Sequence, residues 1–284
     1  MKLCDLHTHS DCSDGSLSPS RLAEAAARCG LSAVALTDHN TVRGLREFTD
    51  AGVNAQILSV PGCEFTTQYG RTELHIIGLF LPEDKWEQID AVFTKMRRSK
   101  REMNDRMLAL LQADGYAVTR AEAEALTEAE FNRSHVARVL CKKGYVRDVK
   151  EAFATLLQEG GKYYTPSERL DTLDTIRFIR SVGAVPVLAH SFLNMNEREL
   201  RAFLPQAVDA GLCAMETRYS AFDAQTTRAA EAIAAEFGLL QSGGSDFHGD
   251  AKPDVHLGSG KGSLCVPFSY YERLADLAAT LYDA

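Results

Sequence analysis

No C-x-x-C pair occurs among the seven cysteines, and their number is odd. This spacing excludes a disulfide framework as the organising device and predicts reduced thiols in a cytoplasmic compartment. Basic charge is equally short: 31 Lys and Arg stand against 39 Asp and Glu, a formal net charge of −8 at pH 7. Such a balance excludes wholesale attraction to duplex DNA or to an anionic membrane, so a phosphate-bearing partner must be met by local basic groups or by metal ions. A run of eighteen apolar residues occurs nowhere, and Lys2 leads straight into a strand-like segment. Neither a membrane span nor an export signal is expected. Repeats and low-complexity tracts are missing too. What is there is a 284-residue chain with 45% hydrophobic content, enough for a full core in one large α/β barrel or in two ordinary domains.

Seven apolar or β-rich runs fit buried strands: Leu3 to Leu6, Ala33 to Leu36, Ile57 to Val60, Leu74 to Phe80, Ala184 to Ala189, Leu212 to Met215 and Leu239 to Gln241. Helix-like segments separate most of them: Pro19 to Cys29 behind Ser18 as N-cap, Thr41 to Asp50, Asp171 to Ser181, Asn196 to Ala210 and Asp223 to Phe237. Alternation of this kind predicts parallel strands joined by crossover helices. From about Trp86 to Tyr164 it gives way to helices alone, at Glu122 to Glu130, Ser134 to Lys142 and Asp148 to Glu159 after a long first one. Residues 91–164 therefore read as a helical subdomain inserted into a domain made of residues 1–90 and 165–284. The first inserted helix carries Lys95, Arg97, Arg98, Lys100, Arg101 and Arg106 against Glu102 and Asp105. This is either a basic patch or an ordinary solvated face.

Functional side chains in parallel α/β folds collect where strands end. At those places stand His7, His9 and Asp14 after the first strand, Asp38 and His39 after the second, Glu64 after the third, His190 after the fifth, Glu216 after the sixth, and Asp246 and His248 after the seventh; His75 lies near the start of the fourth run. Each has a structural alternative. His39 could sit in a helix-capping turn, Glu64 could be a solvated loop carboxylate, and His75 could be a satisfied core histidine. His7 and His9, however, alternate on an extended segment and share a face, as do Asp246 and His248 behind the Gly243-Gly244 pair. Jointly these residues predict a multinuclear metal site.

The pattern His7-x-His9, Asp14, Thr37-Asp38-His39, Glu64, His75, His190 and Gly244-Ser245-Asp246-Phe247-His248 resembles the polymerase and histidinol phosphatase (PHP) family of metal-dependent phosphoesterases. The resemblance implies an α/β fold, a distorted seven-stranded (β/α) barrel with an inserted all-helical subdomain, and two or three divalent ions of Mn, Fe or Zn at the strand ends. It also implies the ligand sets: His7, His9, Glu64 and Asp246 on one ion, Glu64, His75 and His190 on a second, Asp14, His39 and His248 on a third. Many members have histidine where Asp14 stands here. Asn132-Arg133-Ser134-His135 resembles the Arg-Pro-His segment of the nucleotide-acting subgroup, with Ser134 in place of proline. That subgroup's substrates are nucleoside 3′,5′-bisphosphates and short 5′-phosphorylated oligonucleotides. Arg133, Ser134, His135 and Asp14 are accordingly the substrate-binding candidates, with Arg133 and His135 as an anion clamp at a helix N-terminus with free backbone N–H groups. Thr217-Arg218 departs from the apolar and aromatic pair common in the subgroup.

Glu64 shared between two ions would support a bridging hydroxide aimed at phosphorus, with Asp246, His248 and His39 completing the catalytic set. Three other readings fit parts of the pattern. A metal-dependent amidohydrolase would use a similar barrel, but none of these strand ends shows the lysine that would favour it. A phosphatase of a small metabolite such as histidinol phosphate would not need Arg133 and His135. A non-catalytic metal or nucleic-acid binding module would not need the full ligand set. His256 has no assigned role.

Overall fold

The computed structural model describes residues 2–127, 131–164 and 169–282. Two compact units are present: Met1–Ala91 with Arg169–Ala284, and Val92–Glu168. The strands of the first are β1 (Cys4–Asp5), β2 (Ala33–Leu36), β3 (Leu58–Tyr69), β4 (Thr72–Leu79), β5 (Leu170–Asp171), β6 (Val185–Leu188), β7 (Ala214–Tyr219) and β8 (Leu240–Gly244). They follow the order β1-β2-β3-β4-β6-β7-β8, with β5 off this path against β3. Backbone bonds from Leu6 N to Gly243 O (3.1 Å), Asp246 N to His7 O (2.8 Å) and His9 N to Phe247 O (2.9 Å) bring the last strand back to the first. The seven-strand path is thus a nearly closed barrel, as expected, inside a mixed α/β fold.

One strand runs the other way. β4 is antiparallel to both β3 and β6, whereas the alternation of elements predicts parallel pairing throughout. The cause is local: β3 continues well past Val60 to Tyr69 and turns through Gly70 and Arg71 straight into β4, leaving no room for a crossover helix. Gly70 takes φ +59°, which a two-residue hairpin turn needs and a side chain resists. The reversal moves the start of β4 to the end of the barrel where its neighbours finish. His75, at the wrong end of a parallel strand, is therefore brought beside Glu64.

α1 (Pro19–Arg28) is capped by the Ser18 side chain, and α2 (Leu45–Ala55) begins four residues later than its apolar pattern suggests. In the second unit, the part of α3 (Trp86–Ala113) from Val92 onward, α4 (Arg120–Glu124), α5 (Arg133–Lys142) and α6 (Val149–Thr155) surround a core of their own, in which Leu111, Phe131, Val136 and Leu140 are fully buried. The helix expected over Glu122 to Glu130 is partly α4, and residues 128–130 lie outside the described residues. Back in the first unit, α7 (Thr172–Ser181), α8 (Glu197–Asp209) and α9 (Ala224–Glu236) carry the side-chain caps Asp171, Asn196 and Asp223 that their sequences announce. α10 (Phe268–Tyr282) was not foreseen. Its Leu274 and Ala278 join Cys4, Ala33, Ala35, Val60, Ile77 and Val187 in the barrel's buried core. Among the described residues no helix is long and apolar enough to cross a membrane.

Candidate metal centre

Most candidate ligands are delivered by a strand end or the loop beyond it, whereas Glu64 and His75 lie within β3 and β4. Glu64 lies within β3 opposite Ile77, so His75, two residues away along β4, is its diagonal neighbour on the same face, and Glu64 Oε1 lies 2.7 Å from His75 Nδ1. The same oxygen is 3.0 Å from His190 Nε2. Its twin, Oε2, is 3.1 Å from His7 Nε2, 3.3 Å from His9 Nε2 and 3.1 Å from His39 Nδ1. One fully buried carboxylate therefore faces five imidazoles. Burial pushes the Glu64 carboxyl up, but the charges of His7 and His39 and hydrogen bonds from His190 and His7 outweigh it and hold the group well below the ordinary range.

His7 and His9 converge as their alternation predicts, with Nε2 atoms 3.1 Å apart. Asp246 Oδ1 closes this side at 3.2 Å from His9 Nε2 and 3.6 Å from His7 Nε2. On the outer side, Asp14 Oδ1 is 3.2 Å from His248 Nε2, while Asp14 Oδ2 is 3.9 Å from His39 Nε2. The Asp14 side chain is 55% exposed, which makes this the open edge of the cluster. Among the described residues, four overlapping groups have ligand atoms within 4.8 Å of one another: His9, Asp14, His39 and His248; His7, His9 and Asp246; His7, Glu64 and His190; His39, Glu64 and His75.

The backbone is bent to achieve this. His190 and Asp246 take positive φ, +24° and +56°, a conformation costing roughly 1–3 kcal/mol for a residue with a side chain. Gly244 cannot be anything else, because a Cβ there would lie 2.4 Å from His7 Cβ and 2.5 Å from His7 N. Asp5, buried beneath, accepts from Ser245 N and Gly258 N at 2.8 Å each and anchors the segment before Asp246. Asp38 does the same for the first loop, accepting from Ser10 N (2.7 Å), Ser10 Oγ and Ser13 Oγ (both 2.5 Å).

Whether these residues suit a metal is decided by proton positions. Glu216 Oε2 accepts from His190 N at 2.7 Å and Oε1 lies 2.9 Å from His7 Nδ1. An ionised carboxylate only accepts, so His7 carries a proton on Nδ1 and its Nε2 lone pair meets the Glu64 oxygen. A cation must sit between them: a proton in the bare protein, a metal ion when one is bound. The same holds for His248, whose Nδ1 lies 2.9 Å from the Asp246 carbonyl oxygen, which leaves Nε2 as a lone pair against Asp14. His9 Nδ1 is buried with no hydrogen-bond partner among the described residues, and His39 Nδ1, though 3.1 Å from Glu64 Oε2, makes no hydrogen bond there either. A cluster with opposed lone pairs and orphaned ring nitrogens fits divalent ions held by mixed imidazole and carboxylate ligation.

Glu216 stands at a strand end in the sequence, but its role, fixing the His7 tautomer, shows only in three dimensions. Tyr219 is similar: burial pushes its hydroxyl far up, so it stays a donor, 2.8 Å from Asp246 Oδ2, where Lys252 Nζ also binds at 2.7 Å. In Glu216→Gln the amide oxygen must stay on His190 N, so the NH₂ group faces His7 Nδ1 and imposes the opposite tautomer. Metal affinity is expected to fall about 10- to 100-fold, measured by competition with a chromogenic chelator. Unchanged affinity would refute the tautomer assignment.

The substrate-binding candidates of the helical unit are differently engaged. The Asn132 side chain accepts from Ser134 N (2.9 Å) and His135 N (3.4 Å), and His135 Nδ1 accepts from Asn132 N (3.1 Å), a reciprocal cap on α5. The backbone N–H groups expected to be free are thus taken. Arg133 Nη2 is 3.1 Å from Glu159 Oε1 and Nη1 donates to Leu157 O at 3.3 Å, with the guanidinium over the Tyr164 and Phe153 rings. Arg218, the departure noted in β7, is spent on Tyr270 Oη (3.2 Å), Cys265 O (3.1 Å) and Glu231 (3.0 Å) and ties outer elements together. His256 is exposed, its backbone paired with Gly260.

A sequence profile described as the PHP domain matches residues 5–165. The chain is 29% identical to a 5′-3′ exoribonuclease of Haemophilus influenzae over 87% of this chain and 90% of that one. It is 28% identical to a 3′,5′-nucleoside bisphosphate phosphatase of Chromobacterium violaceum, covering 93% and 94% of the two chains. A solved structure from Bifidobacterium adolescentis, described as a metal-dependent phosphoesterase, superposes with a TM-score of 0.68 at 26% identity, over 97% of this chain and 96% of that one.

Proposed function

From the premise that this chain belongs to the PHP domain family and is a metal-dependent phosphoesterase, we propose that it removes the 3′-phosphate of nucleoside 3′,5′-bisphosphates and trims short 5′-phosphorylated oligonucleotides from the 5′ end. The observation that carries the hydrolytic half is Glu64, whose two oxygens face separate sets of imidazoles and so suit it to be shared between ions. Divalent ions bound there would supply a nucleophile at neutral pH and neutralise charge on the phosphoryl oxygens. His7, His9, Glu64 and Asp246, then Glu64, His75 and His190, then Asp14, His39 and His248 are the proposed holders, of Mn, Fe or Zn.

The chain's own residues do the rest. Glu216 keeps His7 in one tautomer, Tyr219 and Lys252 hold Oδ2 of Asp246 so that Oδ1 faces the imidazoles, and the exposed edge at Asp14 leaves the way in for an anionic group. The nucleotide half is supported by what the two relatives named above act on, and by Arg133. Its guanidinium is stacked on rings and paired with Glu159, a carboxylate 67% exposed that a phosphate could displace. Arg133, Ser134 and His135 are therefore proposed to recognise the 5′-phosphate, using binding energy remote from the reacting bond.

Matched substrates differing only at the 5′ position test this. A nucleoside 3′,5′-bisphosphate should give the 5′-monophosphate and phosphate. Its kcat/KM should exceed that of the 5′-hydroxyl analogue by roughly 10- to 100-fold, the worth of a charge-assisted hydrogen bond, and Arg133→Ala should shrink the ratio. A ratio near one in the unaltered protein would make it a general phosphatase instead.

A further inference from the structure

Beyond the cluster, the first unit holds a cleft of about 630 Å³ between the Ser191–Leu193 turn and the start of α9, lined by Phe192, Leu193, Met195, Glu197, Gln225 and Thr226 among others. A ladder of packed rings links its wall to the metal centre. His190 and Tyr219 centroids are 5.3 Å apart, Tyr219 and Phe222 5.2 Å, and Phe222 meets Phe192 edge to face at 5.7 Å. Phe192 is half-buried and Leu193 is 53% exposed, an unusual degree of apolar surface two and three residues past a proposed ligand. Gln225 and Thr226 bring an amide and a hydroxyl to its edge, the Thr226 hydroxyl already bonded to the Asp223 carboxylate. Glu197 and Asp223 are the charged groups of the lining, and no Lys or Arg lines it.

That chemistry selects the occupant. Glu197 is paired with Arg201 at 2.9 Å, and the lining itself offers an anion no Lys or Arg and leaves the Asp223 carboxylate facing it, so the cleft does not suit the anionic end of a substrate. A flat, uncharged heteroaromatic ring with donors and acceptors on its edge fits a phenyl face, an aliphatic floor and the Gln225 amide beside the Thr226 hydroxyl. We propose that this cleft binds the nucleobase of the substrate, with Phe192 as its stacking face and Gln225 and Thr226 at its polar edge. The inference rests on the nucleotide reading above and makes Phe192 a specificity-determining residue of the barrel itself.

The test compares a nucleoside 3′,5′-bisphosphate with ribose 3,5-bisphosphate, which keeps both phosphates and lacks the base, in the metal-loaded protein. Stacking predicts that kcat/KM favours the nucleoside by about 5- to 150-fold. Phe192→Ala should bring the ratio close to one, and Phe192→Trp, which keeps a stacking face beside His190, should preserve it. Efficient hydrolysis of both substrates at a ratio near one in the unaltered protein would overturn the base cleft while leaving the bisphosphate reading intact. A high ratio that survives both Phe192→Ala and Leu193→Ala would place the base elsewhere. Hydrolysis of neither compound, with simple aryl phosphates still cleaved, would overturn the nucleotide reading and this inference with it.

Discussion

Stripping divalent ions with a chelator is expected to abolish phosphoester hydrolysis and to lower the melting temperature of the barrel, with both restored by adding back Mn, Fe or Zn. Loss of turnover follows from composition: around Glu64 the site offers imidazoles and carboxylates suited to hold ions, which would supply the nucleophile. The thermal effect follows from linkage, because the ions bind the folded cluster and not the unfolded chain. In the bare protein a proton stands in for the ion between His7 Nε2 and Glu64 Oε2, 3.1 Å apart, so the site stays intact and the loss is that of the binding free energy. An ion held at a thousand times its dissociation constant contributes about 4 kcal/mol to the folded state, which for a chain of this size is on the order of 5–10 °C. Elemental analysis, activity and calorimetry on one dialysed sample are the measurements. A preparation free of metal that turns over at the full rate would end the metal-dependent account.

How much of this was legible beforehand depends on the distance over which the cause acts. Caps act within three residues: Ser18 caps α1 as its sequence predicts, and the helix-like segments starting at Asn196 and Asp223 begin on the residues that cap α8 and α9. The barrel strands were located by their apolar runs, since burial imposes those locally. Direction was not: Leu74 to Leu79 looks the same in either sense, and only Gly70, set between Phe65-Thr66-Thr67-Gln68-Tyr69 and Thr72-Glu73-Leu74, signals a hairpin. The apolar run ends at Val60, where Pro61 and Gly62 interrupt it, yet both are accommodated in β3, which continues to Tyr69.

Partners far apart in the chain were the least visible. Glu216 was noticed at a strand end, but the histidine whose tautomer it sets lies 209 residues away. The anion clamp was read from Arg133 and His135 alone, and the carboxylate that pairs with Arg133 comes 26 residues later. Phe192 carried no signal beyond being an aromatic after His190; the ladder through Phe222 and Tyr219 exists only once β6 and β7 are neighbours. Residue type and spacing thus identify the chemistry a site can hold, while the groups that tune it come from contacts between strands.

Glu64→Gln is expected to be the most damaging single substitution in the cluster, lowering kcat/KM by about a thousand-fold, the scale of several kcal/mol of lost charge stabilisation. The replacement keeps shape and volume, so the loss reports on chemistry. An amide has one acceptor oxygen and one NH₂ donor, whereas both oxygens of Glu64 face imidazole nitrogens: His75 and His190 on one side, His7, His9 and His39 on the other. Whichever way the amide turns, one set of ring nitrogens meets a donor that cannot ligate and the negative charge shared by both sides is gone. Metal content should therefore fall together with activity. Asp14→Asn is the contrast, because that carboxylate is 55% exposed at the edge and its closest imidazole, His248, is 3.2 Å away; it should cost about ten-fold. Rates for both variants, measured beside their metal stoichiometry, decide the matter. If Glu64→Gln keeps more than a tenth of the original kcat/KM with its full complement of metal, Glu64 is not shared between ions and the division of ligands proposed around it is wrong.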